Sequence, residues 1–145
     1  MSQRPHARSA RAETGHSRDL TWPEAPEALP HAVIDNHAHL DFSDGDGAAG
    51  GDGVAGVVEQ LRWAEAAGID GIITIGCDLP SARWTRRLLE GEALPEGDRE
   101  YALSRLRGGV SIHPNDAVMH AVTGVGRSGE QIVGLDEALA EISDL

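Results

Sequence analysis

Short apolar segments alternate with segments of helical periodicity along this chain, and that alternation restricts its fold more than any other feature. The clearest apolar segment is Ile69–Gly76, an isoleucine-rich run typical of a strand buried on both faces of a sheet. Before it, residues 54–67 carry apolar side chains at helical spacing, and Gly68 follows where helices commonly end in glycine. After it, Asp78 can cap a second helix that has Pro80 in its first turn. The centre of the chain therefore predicts a helix, a strand and a second helix.

Two further strand candidates, residues 33–40 and 110–113, extend this pattern in both directions. The remaining helical segments are a short one around Tyr101 and Leu106 and a final one around Leu139. A strand-helix unit that repeats in this way predicts an α/β fold with a parallel sheet and right-handed crossovers. Because polar residues follow each strand, we expect the strands to be adjacent and their polar ends to meet at one rim of the sheet.

The first strand candidate ends in the segment DNHAHLD, residues 35–41, which carries the clearest chemical signal. Side chains alternate between the faces of a strand, so Asp35, His37, His39 and Asp41 are expected on one face. Two imidazoles at this spacing can share one metal ion, and the flanking carboxylates can hold their other N–H groups. The alternatives are a solvated edge strand, or histidines that bond to backbone carbonyls.

The composition of the chain limits the class of protein to which this segment belongs. The chain has 145 residues, 40% of them hydrophobic, which is enough for one core, and its one cysteine excludes an internal disulfide framework. No apolar run approaches the roughly 20 residues of a membrane span, and no apolar segment follows the arginines of residues 1–18 as a secretory signal requires. We therefore expect a cytoplasmic protein with no membrane partner, a disordered tail over residues 1–30 and a folded domain over 31–145.

The charge is unevenly distributed. Residues 1–18 carry four arginines and one glutamate, a net charge of +3, whereas the remainder carries 23 acidic groups against eight arginines, a net charge of −15. An acidic surface of this kind repels polyanions and weakens a nucleic-acid-binding interpretation, although metal ions and a few arginines can supply local positive charge. The Gly/Asp-rich residues 44–53 lack EF-hand spacing and are interpreted as a loop.

Three colinear segments resemble the TatD family of metal-dependent deoxyribonucleases, which are amidohydrolase-like TIM barrels. They are VIDNHAHLDF at residues 33–42, ITIGCD at 73–78 and GVSIHP at 109–114. The resemblance covers roughly residues 32–145 and implies the amino-terminal portion of a TIM-type barrel, about three βα units. Asn115 departs from the family pattern, in which many members have a second histidine. The segments outside the pattern are residues 1–30, 44–53, 91–100 and 123–131.

The resemblance also implies the roles of individual residues. His37 and His39 would ligate the first ion of a one- or two-metal site that holds Mg, Mn or Zn. Asp35 or Asp41 would support these ligands, and His113 would face the substrate. The family's later glutamate, histidines and aspartate have no counterpart in this sequence. Since a TIM barrel takes about 250 residues, we expect a truncated family member whose catalytic residues are incomplete and whose activity is weak or absent.

Three functions follow as hypotheses. The first is a metal-dependent hydrolase that cleaves the phosphodiester bonds of DNA in the complete protein. The second is a metal-dependent hydrolase of a small amide or phosphoester on the same scaffold. The third is a non-catalytic half-barrel fragment that associates with a partner through its exposed sheet edge. Among the other residues, Cys77 is expected to be a packed thiol, and His31 and His120 are expected to be exposed.

Overall fold

A three-stranded parallel sheet forms the centre of the protein. A computed structural model describes residues 25–41, 54–92, 94–127 and 129–145. Within these ranges the strands are β1 (Val33–Ala38), β2 (Ile69–Gly76) and β3 (Leu106–Val110). β2 lies in the middle and pairs in parallel with both of its neighbours. The α/β fold with parallel, adjacent strands is therefore confirmed, and it is consistent with part of a TIM-type barrel.

Helices connect and follow these strands. They are α1 (Val54–Ala66), α2 (Leu79–Leu89), α3 (Arg99–Arg105), α4 (Pro114–Val118) and α5 (Leu135–Asp144). A 3₁₀ turn at Glu96–Asp98 precedes α3, and a π-helical turn at Met119–Thr123 continues α4. Gly68 has φ of +85°, the left-handed conformation in which glycine ends a helix, as the sequence predicted. None of the helices in the described ranges is long and apolar enough to cross a membrane.

The third strand begins earlier than the sequence predicted. It spans Leu106–Val110, whereas the prediction placed it at 110–113 and assigned Leu106 to a helix. The reason lies at Gly108, where an added Cβ would come within 2.6 Å of Leu89 Cδ1 and 2.7 Å of Thr85 Cγ2. Glycine by itself disfavours a strand. At position 108 it is nevertheless required, because α2 packs directly on the backbone of β3.

The core lies between the sheet and α1, α2 and α3. Leu61, Leu88 and Leu106 are almost fully buried there, one each from α1, α2 and β3. By contrast, β1 pairs with a neighbour on one side alone within the described sheet, and Ile34 on this strand is 64% exposed. A parallel sheet is normally covered on both faces, so the exposed apolar surface of β1 marks the least protected part of the sheet.

The π-helical turn corrects one sequence-based expectation. His120 was expected to be exposed, but it is 9% exposed and its Nδ1 lies 2.7 Å from the carbonyl oxygen of Val133. A carbonyl oxygen only accepts hydrogen bonds, so Nδ1 carries the proton. The prediction was wrong because it did not anticipate that helical structure continues beyond Pro114 and directs this ring toward the segment before α5. His31 is exposed, as expected.

The amino terminus of α2 is fixed by a capping box, and its removal gives a testable prediction. Asp78 Oδ1 accepts a hydrogen bond from Ser81 N at 2.8 Å, and Ser81 Oγ accepts one from Asp78 N at 3.0 Å. We expect Asp78→Ala to lower the free energy of unfolding by about 1 kcal/mol in a urea titration. Asp98→Ala is the matched control because Asp98 precedes α3 without capping it, and we expect a smaller loss. Equal losses in the two variants would contradict the assigned role of the cap.

Candidate metal centre at the carboxyl end of the first strand

The rings of His37 and His39 lie side by side at the end of β1. Their centroids are 5.2 Å apart and their planes are inclined by 79°. Two imidazoles that share an ion at about 2.1 Å from each nitrogen, in tetrahedral geometry, have centroids roughly 5 Å apart. The observed separation is therefore compatible with a shared cation, and metal binding by the pair stays a prediction.

The path of β1 through this segment is less regular than that of a strand whose side chains alternate strictly between the two faces. Asp35 pairs with Ile72 and Ala38 pairs with Thr74, so three steps along β1 match two along β2. Such an irregularity interrupts strict alternation of side chains. Within it, Asp35 Oδ1 accepts a hydrogen bond from the backbone N–H of His37 at 3.0 Å. Asp35 therefore fixes the backbone of this segment, and support of an imidazole by Asp35 stays a prediction.

A backbone carbonyl orients the ring of His39. His39 Nδ1 lies 2.9 Å from the carbonyl oxygen of Ile75 on β2. Because this oxygen only accepts, the hydrogen belongs to Nδ1, and in the neutral ring Nε2 then has the lone pair that a metal ligand requires. The Sγ atom of Cys77 lies 3.5 Å from His39 Nδ1. The end of β2 thus positions the half-buried histidine of the pair.

The carboxyl group of Asp41 and the thiol of Cys77, both close to His39, have shifted pKa values. Burial raises the pKa of Asp41, although a hydrogen bond with its own backbone and the nearby His39 oppose the shift. Asp41 Oδ1 is buried and has no hydrogen-bond partner among the described residues. Burial also raises the pKa of the Cys77 thiol, and the carboxylates of Asp41 and Asp78 add to this effect. Cys77 is partly buried and protonated at neutral pH, which makes it a poor nucleophile.

His113 lies at the same rim of the sheet, after β3. Its backbone N–H donates to the carbonyl oxygen of Cys77 at 2.7 Å, so the chain continues beside the end of β2. Its ring is exposed, and Nδ1 accepts a hydrogen bond from Asn115 N at 3.2 Å at the start of α4. The neutral ring therefore carries its proton on Nε2. The substrate-facing role of His113 stays a prediction.

One polar pair at this rim was not predicted from the sequence. Asp116, in the first turn of α4, accepts hydrogen bonds from Arg127 Nε at 3.0 Å and from Nη2 at 2.9 Å. The side chain of Asp116 is 5% exposed and that of Arg127 is 66% exposed. Eleven positions and a glycine-rich stretch separate the two residues, so no helical or strand spacing relates them.

The side chains at the rim are suited to form part, but not all, of a binding site for a divalent ion. A buried carboxylate oxygen without a donor, such as Asp41 Oδ1, is an atom that a proton or a cation can satisfy. However, no group of three His, Cys, Asp or Glu side chains that could hold a metal occurs within residues 25–41, 54–92, 94–127 and 129–145. His37 and His39 therefore fit as a pair of ligands, and a complete site requires donors from beyond these ranges.

The fold and this pair define a class: α/β proteins that carry paired histidines at the carboxyl end of the first strand of a parallel sheet. The chain is similar to the uncharacterized metal-dependent hydrolase TatD of Mycobacterium tuberculosis (strain H37Rv), with 36% identity over 85 residues. The aligned part is 59% of this chain and 26% of the relative, so the chain spans about a quarter of that protein's length. No protein-family model matches the chain, and no solved structure matches it. The similarity supports the resemblance to the TatD family that the strand-end segments indicated.

Proposed function

We propose that this chain contributes the first strand of the active site in a metal-dependent hydrolase of the TatD type, which cleaves the phosphodiester bonds of DNA. The observation that carries the proposal is the pair of His37 and His39 rings, 5.2 Å apart at the carboxyl end of β1. This is the end of a parallel sheet at which α/β enzymes assemble their chemistry. The remaining ligands come from elements other than the described residues.

The described residues have distinct parts in this chemistry. A bound Mg, Mn or Zn ion supplies Lewis-acid polarisation and lowers the pKa of a coordinated water. The Ile75 carbonyl fixes the ring of His39 through Nδ1, so Nε2 is the nitrogen that would ligate an ion. Asp41 lies close to His39, and its Oδ1 is buried without a hydrogen-bond partner among the described residues. His113 carries a ring N–H at Nε2 that can donate to a substrate oxygen.

The charge of the chain favours a second candidate. With a formal net charge of −12, the protein repels extended polyanions. A hydrolase of a small amide or phosphoester on the same scaffold would avoid this repulsion. The two candidates share the metal site and differ in the substrate, so a comparison of DNA with a small phosphodiester under identical metal conditions distinguishes them.

Metal binding by the histidine pair is the first test. We expect His37→Ala to weaken binding of Zn²⁺ or Co²⁺ at least about tenfold, because even loss of a residue that only supports a ligand has an effect of this size. His37 is preferable to His39 because its ring is exposed, so its removal leaves the bond between His39 and Ile75 intact. The measurement is calorimetric titration, with Co²⁺ absorption as an independent signal.

His31→Ala is the matched control, since His31 is exposed and precedes the strand. We expect its metal affinity to equal that of the unmodified chain. An equal loss in both variants, or no loss in His37→Ala, would show that the pair does not form the site.

A further inference from the structure

An arginine lies at the same rim as the histidine pair, and a short path of contacts connects them. Cys77 Sγ is 3.5 Å from His39 Nδ1, and the Cys77 carbonyl accepts the N–H of His113 at 2.7 Å. The His113 carbonyl in turn accepts the N–H of Asp116 at 2.8 Å. The Asp116 carboxylate then accepts two hydrogen bonds from Arg127. Each step of the path is a direct contact, so Arg127 belongs to the surroundings of the candidate metal centre.

The guanidinium of Arg127 is held in one orientation. Its Nε and Nη2 atoms donate to the two oxygens of Asp116, whose side chain is 5% exposed. A guanidinium has five N–H donors in a rigid plane, and this pairing uses two of them. The side chain of Arg127 is 66% exposed, so its remaining donors face solvent. A fixed, partly used guanidinium of this kind is suited to bind a second oxyanion with little further loss of side-chain entropy.

The backbone that carries Arg127 is also fixed. Val125 and Gln131 form an antiparallel bridge, and Gly126 N donates to the carbonyl oxygen of Glu130 at 2.8 Å. Gly124 enters this hairpin with φ of +64°, a left-handed conformation that favours glycine. The hairpin lies in the stretch 123–131, outside the segments that carry the resemblance to the TatD family.

Arg127 is positively charged, in contrast to the carboxylates that lie near it at the rim. The carboxylates of Asp41, Asp78 and Asp116 raise the pKa of the Cys77 thiol, whereas Arg127 lowers it. These charges therefore act on one small region, and Arg127 adds positive charge to it. Since negative charge would repel an anionic substrate, the donors of Arg127 are the favourable point of approach for a phosphoryl oxygen.

We propose that Arg127, oriented by Asp116, binds a non-bridging phosphoryl oxygen of the substrate and thereby selects a charged phosphodiester over a neutral amide. This inference rests on the proposed function and adds a substrate-binding residue to it.

The test compares two ligands that differ in one charged oxygen. The full chain, without metal, is titrated with the thymidine dinucleotide TpT and with its methylphosphonate analogue, whose linkage is neutral. We expect TpT, and not the analogue, to shift the NMR resonance of the Arg127 Nε–H in the unmodified protein. We expect Arg127→Gln to weaken TpT binding about tenfold, the effect of one charge-assisted contact, and to leave binding of the analogue unchanged.

Two further variants separate binding from structure. Arg83→Gln is the matched control, because Arg83 is also an exposed arginine that is bound through Nε and Nη2 to one carboxylate, that of Glu141. It lies on α2, away from the path that joins His39 to Arg127, and we expect TpT binding to be unchanged. Arg127→Lys keeps the charge beside the buried Asp116 and should retain the fold, with TpT affinity between those of the unmodified chain and Arg127→Gln.

Several results would overturn the inference. They are equal affinity for TpT and the methylphosphonate, an Arg127 Nε–H resonance that TpT does not move, and equal weakening of both ligands by Arg127→Gln. The outcome is separable from that of the proposed function, because Arg127→Gln leaves both histidines in place. TpT binding that Arg127→Gln leaves unchanged would reject this inference alone, whereas unchanged metal affinity in His37→Ala would reject the metal site.

Discussion

Gly76→Ala should lower the free energy of unfolding by about 3 kcal/mol, the upper part of the range for overpacking a tight core. An added Cβ at this position would lie 2.7 Å from both Cα and N of Ala82 and 2.8 Å from the carbonyl carbon of Ser81. All of these are backbone atoms of α2, so no side-chain rotation can relieve the contact. Ala82 itself is fully buried, and α2 can move away from β2 only by opening the interface. Urea denaturation followed by circular dichroism measures the change.

Gly97→Ala provides the control for this substitution. Gly97 lies in the 3₁₀ turn before α3, and an added Cβ there would have no atom within 4 Å. We expect its free energy of unfolding to change by less than about 0.5 kcal/mol, as for an ordinary surface substitution. If the two alanine variants were equally stable, the close approach of α2 to the end of β2 would be incorrect.

The second large effect concerns catalysis: with metal present, the 145-residue chain should hydrolyse DNA only at trace level. The described residues offer two histidines and no third ligand grouped with them, so an ion would keep solvent at most of its coordination positions and would be loosely held. We expect a metal-dependent rate no more than about tenfold above that of the metal ion alone, and His37→Ala should not lower it measurably. We also expect a low transition temperature, because β1 exposes Ile34 and one of its edges.

The measurement combines thermal unfolding with cleavage of single-stranded DNA under Mg²⁺, Mn²⁺ and Zn²⁺. A transition at high temperature together with metal-dependent cleavage that His37→Ala abolishes would contradict both parts of the prediction. In that case the site would be completed within this chain or across a dimer. The additional ligands to substitute would then be Asp41, Asp78, His113 and Asp116.

Local patterns allowed much of the fold to be predicted. The bounds of Ile69–Gly76 match the observed β2, because a buried parallel strand is apolar throughout and ends in turn-forming residues. Asp78 caps α2 as expected, since the capping box depends on residues three positions apart. The close approach of the His37 and His39 rings was likewise expected, although β1 brings them together through an irregular register and not through simple alternation.

The features that sequence analysis missed depend on long-range packing. Gly108 lies in β3 because α2 approaches its backbone, a contact that no local pattern encodes. His120 is buried by a π-helical turn whose partner, Val133, is 13 positions away. The pairing of Asp116 with Arg127 was missed because the two residues are 11 positions apart, and the stretch 123–131 was noted as lying outside the family pattern.

The bond between His39 and the Ile75 carbonyl also links ion binding to the alignment of two strands. If β1 slipped by one residue along β2, His39 would lose the Ile75 carbonyl, and Leu40 N would lose its 3.3 Å bond to Thr74 Oγ1. A cation held by the pair therefore favours one register of the exposed edge strand over its alternatives. An ion at a hundred times its dissociation constant would stabilise that register by about 2.7 kcal/mol. Metal binding would then stabilise the register of β1 on β2, in addition to any role of the metal in catalysis.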